Sequence, residues 1–214
     1  MVVIAADLRC ACGTGSGAQE ELGQWQPHDG SNGKAAPGYL VADSSDSSGA
    51  ASRSVILRRA NATDAASLHA FDIGDTPSTW MAEVAEIVSG LVAWQADAAH
   101  AELDRQVVVL TDAGDVVAVA AHERQWNETG SVFEHHRYLM VTAVRADRQR
   151  HGLARLLVES VLADLQASGT LTVTWLVHPR NHPSIAFSRR CFPSADETSP
   201  PEDRPYVTFM LCLS

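Results

Sequence analysis

Residues 149–154 are the part of the sequence best suited to bind an anion, and they read Gln-Arg-His-Gly-Leu-Ala. Gly152 and Ala154 carry little or no side chain, so a phosphate group can approach the backbone N–H groups closely. Four arginines lie in or beside this segment: Arg145, Arg148, Arg150 and Arg155. Guanidinium groups add positive charge and bidentate hydrogen bonds to phosphate oxygens. The residue types and their spacing therefore predict a phosphate-binding loop.

The residues on either side of this loop are typical of a strand that leads into a helix. Residues 138–144 are almost wholly apolar and rich in types that favour strands. After the loop, apolar residues recur at steps of three and four, as in an amphipathic helix: Leu153, Leu156, Leu157, Val161 and Leu165. Because the first N–H groups of a helix have no helical partner, this order places free donors beside the loop.

The pattern Gln149-x-x-Gly152-x-Ala154 resembles the acetyl-CoA pyrophosphate motif, Gln/Arg-x-x-Gly-x-Gly/Ala, of the GNAT superfamily of N-acetyltransferases. The resemblance implies that acetyl-CoA is the co-substrate. It implies that seven consecutive residues bind this molecule: Gln149, Arg150, His151, Gly152, Leu153, Ala154 and Arg155. It also implies that the backbone of Ala143 and Val144, at the end of the predicted strand, binds the pantetheine arm.

A second segment, residues 178–192, resembles the GNAT pattern Asn-x-x-Ala-x-x-x-Tyr-x-x-x-Gly-Phe. Asn181 matches the asparagine and is therefore implied to contact the cofactor. Ser188 stands where many members of the family carry the tyrosine that protonates the departing thiolate. The segment ends in Cys191-Phe192 instead of a Gly-Phe pair. These departures affect the assignment of the general acid more than the fold or the cofactor.

The chemistry of acetyl transfer to an amine identifies the candidate catalytic residues. The reaction needs a neutral amine, a polarised thioester carbonyl and a group that accommodates the charge on sulfur, and a base can act through a water molecule. Three residues are the candidates: Glu123, His178 and Ser188. Glu123 ends a predicted hairpin strand, and Ser188 is a weak acid or an anchor for water. The polar residues 134–136, Glu-His-His, offer further candidates for the base.

The formal net charge of the 214-residue chain is −10, which argues against a nucleic-acid partner because such proteins need a basic surface. An acidic surface mildly favours a cationic acceptor. No apolar run approaches the length of a membrane-spanning helix, and the apolar residues 2–6 are too few for a signal-peptide core. We therefore expect a cytoplasmic protein with no membrane and no nucleic-acid partner.

The cysteines and histidines predict no metal site. Cys10, Cys12, Cys191 and Cys212 include no pair with CxxC spacing, and the histidines lack the spacing of metal ligands. A disulfide framework is equally unexpected in a reduced cytoplasmic protein.

The composition divides the chain into two parts. Residues 1–52 are rich in Gly, Ser, Ala and Asp and have few large apolar residues, which predicts a disordered or loosely attached tail. Residues 53–214 are expected to form the GNAT-like acetyltransferase domain. The apolar residues 207–213 predict either an inner strand or a strand that pairs across a homodimer.

Strand and helix signals along this domain complete the predicted fold. Strands are expected at 55–57, 106–110, 116–121 and 171–177, with a hairpin turn at 111–115 and a parallel pairing for the last of them. Helix starts are expected at 61–64 and at Thr76-Pro77. The order of elements resembles that of GNAT folds. It implies an α/β fold (α+β by some schemes) with a mixed, mostly antiparallel central sheet and helices on both faces.

The sequence thus predicts an N-acetyltransferase that moves an acetyl group from acetyl-CoA to a primary amine. The acceptor is left open among small molecules, peptides and proteins. Two alternatives are a catalytically weak domain that binds or senses acyl-CoA, motivated by Ser188 and the lack of an obvious base, and an acetylating toxin.

Overall fold

An eight-stranded mixed sheet organises the part of the chain that the structure, a computed structural model, describes. The described residues are 39–41, 55–74, 79–96, 101, 103–126, 132–199 and 206–213. The strands are β1 (Tyr39–Val41), β2 (Val55–Arg59), β3 (Gln106–Asp112), β4 (Asp115–Trp126), β5 (Val132–Val144), β6 (Thr172–Val177), β7 (Asp196–Thr198) and β8 (Val207–Cys212). The α-helices are α1 (Ala65–His69), α2 (Thr79–Gln95), α3 (Leu153–Ala167) and α4 (His182–Cys191).

The strands lie in the order β1-β2-β3-β4-β5-β6-β8-β7. Every neighbouring pair is antiparallel except β5 with β6, which α3 connects in parallel. Residues 207–213, for which an inner strand and a strand across a homodimer were alternatives, contain β8, which lies between β6 and β7. The predicted parallel strand at 171–177 is correct. So is the predicted mixed, mostly antiparallel sheet.

Two apolar clusters show that helices cover both faces of the sheet. On one face, α3 and α4 pack on the strands through buried residues such as Leu157, Val161 and Phe187. On the other face, α1 and α2 pack through residues such as Leu68 and Val84. The alternation of side chains along the strands sends successive residues to opposite clusters. This two-faced core confirms the predicted fold class.

The β3–β4 hairpin has the turn that its sequence predicts. Its two-residue turn is Ala113-Gly114, with φ of +52° and +93°. Positive φ at both central positions matches the turn type whose twist suits a hairpin, and glycine adopts it without steric cost. The register shifts between Leu110 and Thr111. The two strands nevertheless run farther than the predicted 106–110 and 116–121, because pairing continues into polar residues.

Helix boundaries follow their capping residues where the structure describes them. Asn61 begins a 3-10 turn: its side chain accepts a hydrogen bond from Thr63 N–H, and Asp64 accepts one from Asn61 N–H, a capping box. The predicted start at residues 61–64 is thus confirmed. Gly169, at φ +83°, follows the end of α3. The predicted start at Thr76-Pro77 lies outside the described residues.

Two short strands were not predicted. β1 pairs antiparallel with β2 although it lies inside the segment 1–52, where a loosely attached tail was expected. β7 pairs with β8 at the opposite edge of the sheet. The remainder of 1–52 lies outside the described residues, so the boundary between tail and domain stays a prediction.

Candidate active site

The loop between β5 and α3 has a backbone that exposes N–H groups. Arg150 and Gly152 both adopt positive φ, +69° and +73°. Gly152 is the N-cap of α3, and the first hydrogen bond that it accepts comes from Leu156 N–H. The N–H groups of the first helical turn therefore have no helical partner and carry the positive end of the helix dipole. A phosphate group fits this position electrostatically.

Gly152 is required by its backbone conformation. A Cβ built on this residue meets nothing within 4 Å among the described atoms, so the protein alone leaves room for a side chain. Its φ of +73° is the left-handed conformation that side chains disfavour. The space in front of the glycine is open toward a ligand. Ala154, two residues on, is buried against the sheet.

The side chain of Gln149 stabilises the loop through two hydrogen bonds. Its Nε2 donates to the carbonyl oxygens of Val144 and Ile73, each over 3.2 Å. These bonds tie the loop to the end of β5 and to the segment before α2. The first residue of the motif thus holds the loop in shape, and its side-chain amide is already occupied.

Carboxylates position three of the four arginines around the loop. Arg145 pairs with Asp147 and Arg148 pairs with Asp112, each at 2.7 Å. Arg155 pairs with Glu159 one turn along α3, also at 2.7 Å. Arg150 and His151 are exposed on the loop itself. The guanidinium groups are therefore arranged around the helix start instead of moving freely.

Next to the loop, β5 and β6 diverge. Their parallel pairing runs from His136–Thr172 to Tyr138–Thr174 and then stops, while β5 continues to Val144. β6 stays paired with β8 as far as Val177. The divergence opens a gap between β5 and β6 that points toward the loop. Backbone groups of β5 on this side have lost their strand partner.

The hydrogen bonds of β5 to β4 decide which backbone groups face the gap. Arg145 N–H donates to the Val117 carbonyl over 3.0 Å, so these residues form a hydrogen-bonded pair of the antiparallel ladder. Such pairs alternate with non-hydrogen-bonded pairs. The backbone of Ala143 therefore points at β4, and the backbones of Thr142 and Val144 point into the gap. This phase favours Thr142 with Val144, in place of the predicted Ala143, as the backbone ligands.

The side of α4 that packs inward adds polar groups to the core. Asn181, Ser184 and Ser188 are at most 2% exposed. Asn181 Oδ1 accepts from Ser184 N–H and so begins the helix. Its buried Nδ2 has no hydrogen-bond partner among the described residues, and neither has the buried Oγ1 of Thr142. Buried polar atoms are normally paired, so both groups are fit to meet a ligand.

Ser188 lies in the core and forms a hydrogen bond with an aromatic side chain. Its Oγ accepts a hydrogen bond from Trp175 Nε1 over 3.0 Å, and the serine is fully buried. Trp175 stacks on Phe209, with ring centroids 5.5 Å apart, and meets Phe192 edge to face. An indole N–H needs an acceptor when buried. Ser188 therefore has a structural partner, Trp175, that no sequence motif predicts.

Glu123 is the candidate carboxylate beside the point where β5 and β6 diverge. It lies opposite Tyr138 in the β4–β5 ladder and is 5% exposed. Arg105 Nε donates to Glu123 Oε2 over 2.6 Å, and the Arg105 guanidinium also lies 5.9 Å from the Trp94 ring centroid. The ion pair gives the buried carboxyl group of Glu123 a partner of opposite charge.

Tyr138 completes a polar cluster at this point. Burial raises the pKa of its phenol, and the nearby Glu123 and Tyr206 raise this pKa further. The phenol therefore stays protonated. His178, the third predicted catalytic residue, packs against Tyr206 with ring centroids 5.9 Å apart. The structure thus groups Glu123, Tyr138, Tyr206 and His178 at one end of the gap.

Residues 134–136 lie elsewhere. Glu134 and His135 are exposed near the start of β5, and His135 Nδ1 lies 3.2 Å from the carbonyl oxygen of Gly169, beyond the far end of α3. Arg105 and Tyr206, by contrast, belong to the site although no sequence motif contains them. They are 18 and 83 residues from Glu123 along the chain, so only the folded sheet brings them together.

Cysteines and possible metal ligands do not cluster in the described part of the chain. Cys191 and Cys212 form no disulfide. No group of three or more His, Cys, Asp or Glu side chains that could hold a metal ion is found in that part. Within it, too, no helix is both long enough and apolar enough to cross a membrane. Cys10 and Cys12 lie outside the described residues.

Solved structures with this fold are acetyltransferases. A protein of Desulfovibrio desulfuricans assigned to the GNAT family has a TM-score of 0.60 at 20% identity, over 75% of this chain and 99% of the other. The ribosomal-protein-S18-alanine N-acetyltransferase of Escherichia coli has a TM-score of 0.52 at 19% identity, over 75% and 94%. A GNAT-family acetyltransferase of Brucella melitensis, solved with acetyl-CoA, has a TM-score of 0.53 at 18% identity, over 75% and 88%.

The sequence itself establishes the family. The model of the acetyltransferase (GNAT) family matches residues 66–192, which is more than half of the chain. The chain therefore belongs to the GNAT acetyltransferase family. No curated protein is significantly similar to it in sequence.

Proposed function

We propose that this protein transfers the acetyl group of acetyl-CoA to a primary amine of a small-molecule or peptide acceptor. One observation supports this function above all others. β5 and β6 diverge beside the Gly152 loop, and the phase of the β5 ladder turns the backbones of Thr142 and Val144 into the gap. An extended chain of amides fits such a gap because it replaces the missing strand partner.

Acetyl-CoA is the acyl donor, and three groups of this chain are suited to hold it. The N–H groups around Gly152 and the start of α3 bind the pyrophosphate, with Arg150 and Arg155 as its cationic neighbours. The backbone of Thr142 and the N–H of Val144 bind the pantetheine amides, since the Val144 carbonyl oxygen already accepts from Gln149. Asn181, whose Nδ2 is buried without a partner among the described residues, donates to the same arm.

Glu123 acts as the general base in this proposal. The ammonium form of the acceptor loses a proton to Glu123, directly or through a water molecule, and the lone pair of the resulting neutral amine attacks the thioester carbonyl, after which the nitrogen releases its second proton to solvent. The C–N bond forms, the C–S bond breaks, and the electron pair leaves on the CoA sulfur. Arg105 holds Glu123 in place through their ion pair. Tyr138, with its raised pKa, lies beside Glu123 as a protonated phenol that can hydrogen-bond the acceptor or water.

The proton that the thiolate takes up has a less direct source. Ser188 is buried and accepts a hydrogen bond from Trp175, which leaves its own O–H free to donate. A serine hydroxyl is nevertheless a far weaker acid than a tyrosine. Stabilisation of the thiolate by the backbone and solvent therefore carries more of the reaction here than in relatives with a tyrosine.

The acceptor is proposed to be cationic at neutral pH. The net charge of the chain is −10, and an acidic surface attracts ammonium groups. At the site itself the carboxylate of Glu123 offers a proton acceptor, and the aromatic rings of Tyr138 and Tyr206 offer faces for an alkyl ammonium. A cytoplasmic location and a homodimer stay predictions from the sequence.

The experiment that tests this function measures CoA release with a thiol reagent. The full-length protein is incubated with acetyl-CoA and a panel of polyamines, amino acids and short peptides. The expected result is amine-dependent release that falls by about 100-fold in Glu123→Gln, since a positioned base contributes roughly that factor or more. Glu134→Gln is the matched control, because this carboxylate is exposed and lies away from the gap. No release above hydrolysis with any amine contradicts the proposal.

One observation favours a second candidate function, that of a domain that binds acyl-CoA and transfers it slowly or not at all. Ser188, at the position of the usual acid, is buried and bonded to Trp175. A sensor of this kind gives tight acetyl-CoA binding with no amine-dependent turnover. Restoring the phenol with Ser188→Tyr, together with Trp175→Leu to make room, distinguishes the two: turnover rises in a weak enzyme and stays absent in a sensor.

A further inference from the structure

A cavity lies on the α3 face of the sheet, far from the Gly152 loop. Its volume is about 570 Å³, within the range of small-molecule sites. Its described lining comes from β2, the residue Asp104 before β3, β3 itself, β4, β5 and the C-terminal end of α3, and includes Leu57, Val108, His122, Arg137 and Asp164. α3 has 15 residues, so its two ends are separated by about 22 Å. The cavity is therefore distinct from the phosphate-binding loop.

Two residues that line this cavity each have a buried nitrogen atom without a hydrogen-bond partner among the described residues. His122 is 6% exposed, and its Nδ1 has no hydrogen-bond partner among the described residues. The buried Nε of Arg137 is likewise without an acceptor in the described part of the chain. A guanidinium Nε–H can only donate, so it calls for an oxygen acceptor. Unpaired buried groups of this kind are rare in proteins and costly, which points to an unidentified ligand.

The charges around the cavity are balanced before any ligand binds. Arg58 forms a bidentate pair with Asp64, at 2.6 Å for each bond. Arg137 pairs with Asp104 at 2.7 Å. Arg59 and Asp164 face each other at longer range, since the arginine lowers the pKa of that carboxyl group while burial raises it. His122 is neutral in the empty protein. A ligand with one negative charge is therefore neutralised when the imidazole takes up one proton.

The floor of the cavity is apolar. Leu57, Val108 and Leu165 are all less than 9% exposed and contribute hydrocarbon to the lining. A bare inorganic anion leaves this surface uncovered. A short hydrocarbon body covers it and gains burial free energy of about 25 cal/mol for each Å². The polar and apolar parts together fit an organic acid.

We propose that this cavity binds a short aliphatic carboxylate, with its carboxylate toward Arg137 and His122 and its hydrocarbon on Leu57, Val108 and Leu165. Arg59, exposed at the rim, adds charge attraction. A dianionic phosphate fits less well because Asp104 and Asp164 also line the cavity. The ligand occupies a site separate from that of acetyl-CoA and of the acceptor amine.

Binding at this site takes up a proton. In the empty protein, burial lowers the pKa of His122 to about 3, and Arg137 and Arg59 lower it while Asp104 opposes them. A bound carboxylate raises this pKa because it favours the charged imidazole. The affinity for the ligand therefore increases once the pH falls below the pKa of the imidazole in the complex. Replacing His122 by glutamine removes this dependence.

The test uses the full-length protein with hexanoate, succinate, acetate and phosphate at matched ionic strength. Calorimetry measures affinity, and NMR of ¹⁵N-labelled imidazoles follows His122, whose signal is assigned by its loss in His122→Gln. We expect hexanoate to shift the His122 signal and to bind more tightly than acetate, the dianion succinate or phosphate. Arg59→Gln should weaken binding about tenfold, as loss of a charged hydrogen bond does.

Arg189→Gln is the matched control, since Arg189 is exposed, pairs with Glu197 and does not line the cavity. It should bind the carboxylate like the wild type. The proposal is overturned if no carboxylate shifts the His122 signal, or if phosphate binds as tightly as the best carboxylate. It is also overturned if Arg189→Gln weakens binding as much as Arg59→Gln does.

Discussion

The buried imidazole of His122 should make the stability of this protein sensitive to mild acid. Burial, followed by the charge of Arg137, lowers its pKa from 6.5 to about 3 in the folded state. The unfolded chain protonates this imidazole below about pH 6.5, so between pH 6.5 and 3 the unfolded state binds more protons than the folded state. Stability contributed by the neutral imidazole is present above this window and is lost as the pH falls through it.

The magnitude follows from the two pKa values. Between pH 7.5 and 5.0, protonation in the unfolded state alone stabilises that state by about 2 kcal/mol, since each pH unit below 6.5 adds about 1.4 kcal/mol. His122→Gln removes this term and leaves the carboxylates unchanged in number. The free energy of unfolding should therefore fall by about 2 kcal/mol more in the wild type than in the variant over this range.

Urea denaturation at pH 7.5 and pH 5.0, in a buffer without carboxylates, measures this loss of stability for the wild type and for His122→Gln. His69→Gln is the matched control because this histidine is exposed at the end of α1, so its replacement should leave the pH dependence of the wild type intact. Equal losses of stability in the wild type and His122→Gln would refute the reasoning. That result would mean that the imidazole is protonated in the folded protein.

Three further predictions concern the loop, the core and a helix start. Gly152→Glu should abolish the thermal stabilisation by acetyl-CoA, which at 100 times the dissociation constant is about 2.7 kcal/mol, whereas Gln166→Glu at the far end of α3 should retain it. Ser188→Ala should lower the free energy of unfolding in urea by about 1–3 kcal/mol, because Trp175 Nε1 loses its acceptor, and a loss below 0.5 kcal/mol would contradict that bond. Asn61→Ala should cost about 1 kcal/mol by the same assay through loss of the capping box, and no change would show that the cap is not formed in solution.

The sequence predicted the main elements because their signals are local. The repeat of apolar residues in α3 and the turn glycine of the β3–β4 hairpin each act within a few residues. β1 and β7 have three residues each, too few to show a period of two, and they exist only because a neighbouring strand offers an edge. The sequence does not predict β1 and β7 because each depends on the edge of a neighbouring strand.

The site was predicted in part for the same reason. Gly152 belongs to a contiguous motif, so its position at the start of α3 followed from the order of residues. The choice between Ala143 and Thr142 depends on the phase of hydrogen bonding with β4, which the sequence does not encode locally. The Glu123–Arg105 ion pair and the Ser188–Trp175 hydrogen bond join different elements. Only the packed sheet determines these partners.

The divergence of β5 and β6 has a mechanical consequence. The described sheet consists of two plates, β1 to β5 and the three strands β6, β8 and β7. Three residue pairs, from His136–Thr172 to Tyr138–Thr174, and the hydrogen bond from Leu171 N–H to the His135 carbonyl oxygen form the seam between them. A ligand that bonds to the open part of β5 lengthens this seam and couples the plates. Amide hydrogens of Thr174 to Leu176 and of Leu139 to Val144 should then exchange more slowly together. We expect a cofactor bound there to act as a removable strand, so that the rigidity of the described sheet depends on its occupancy.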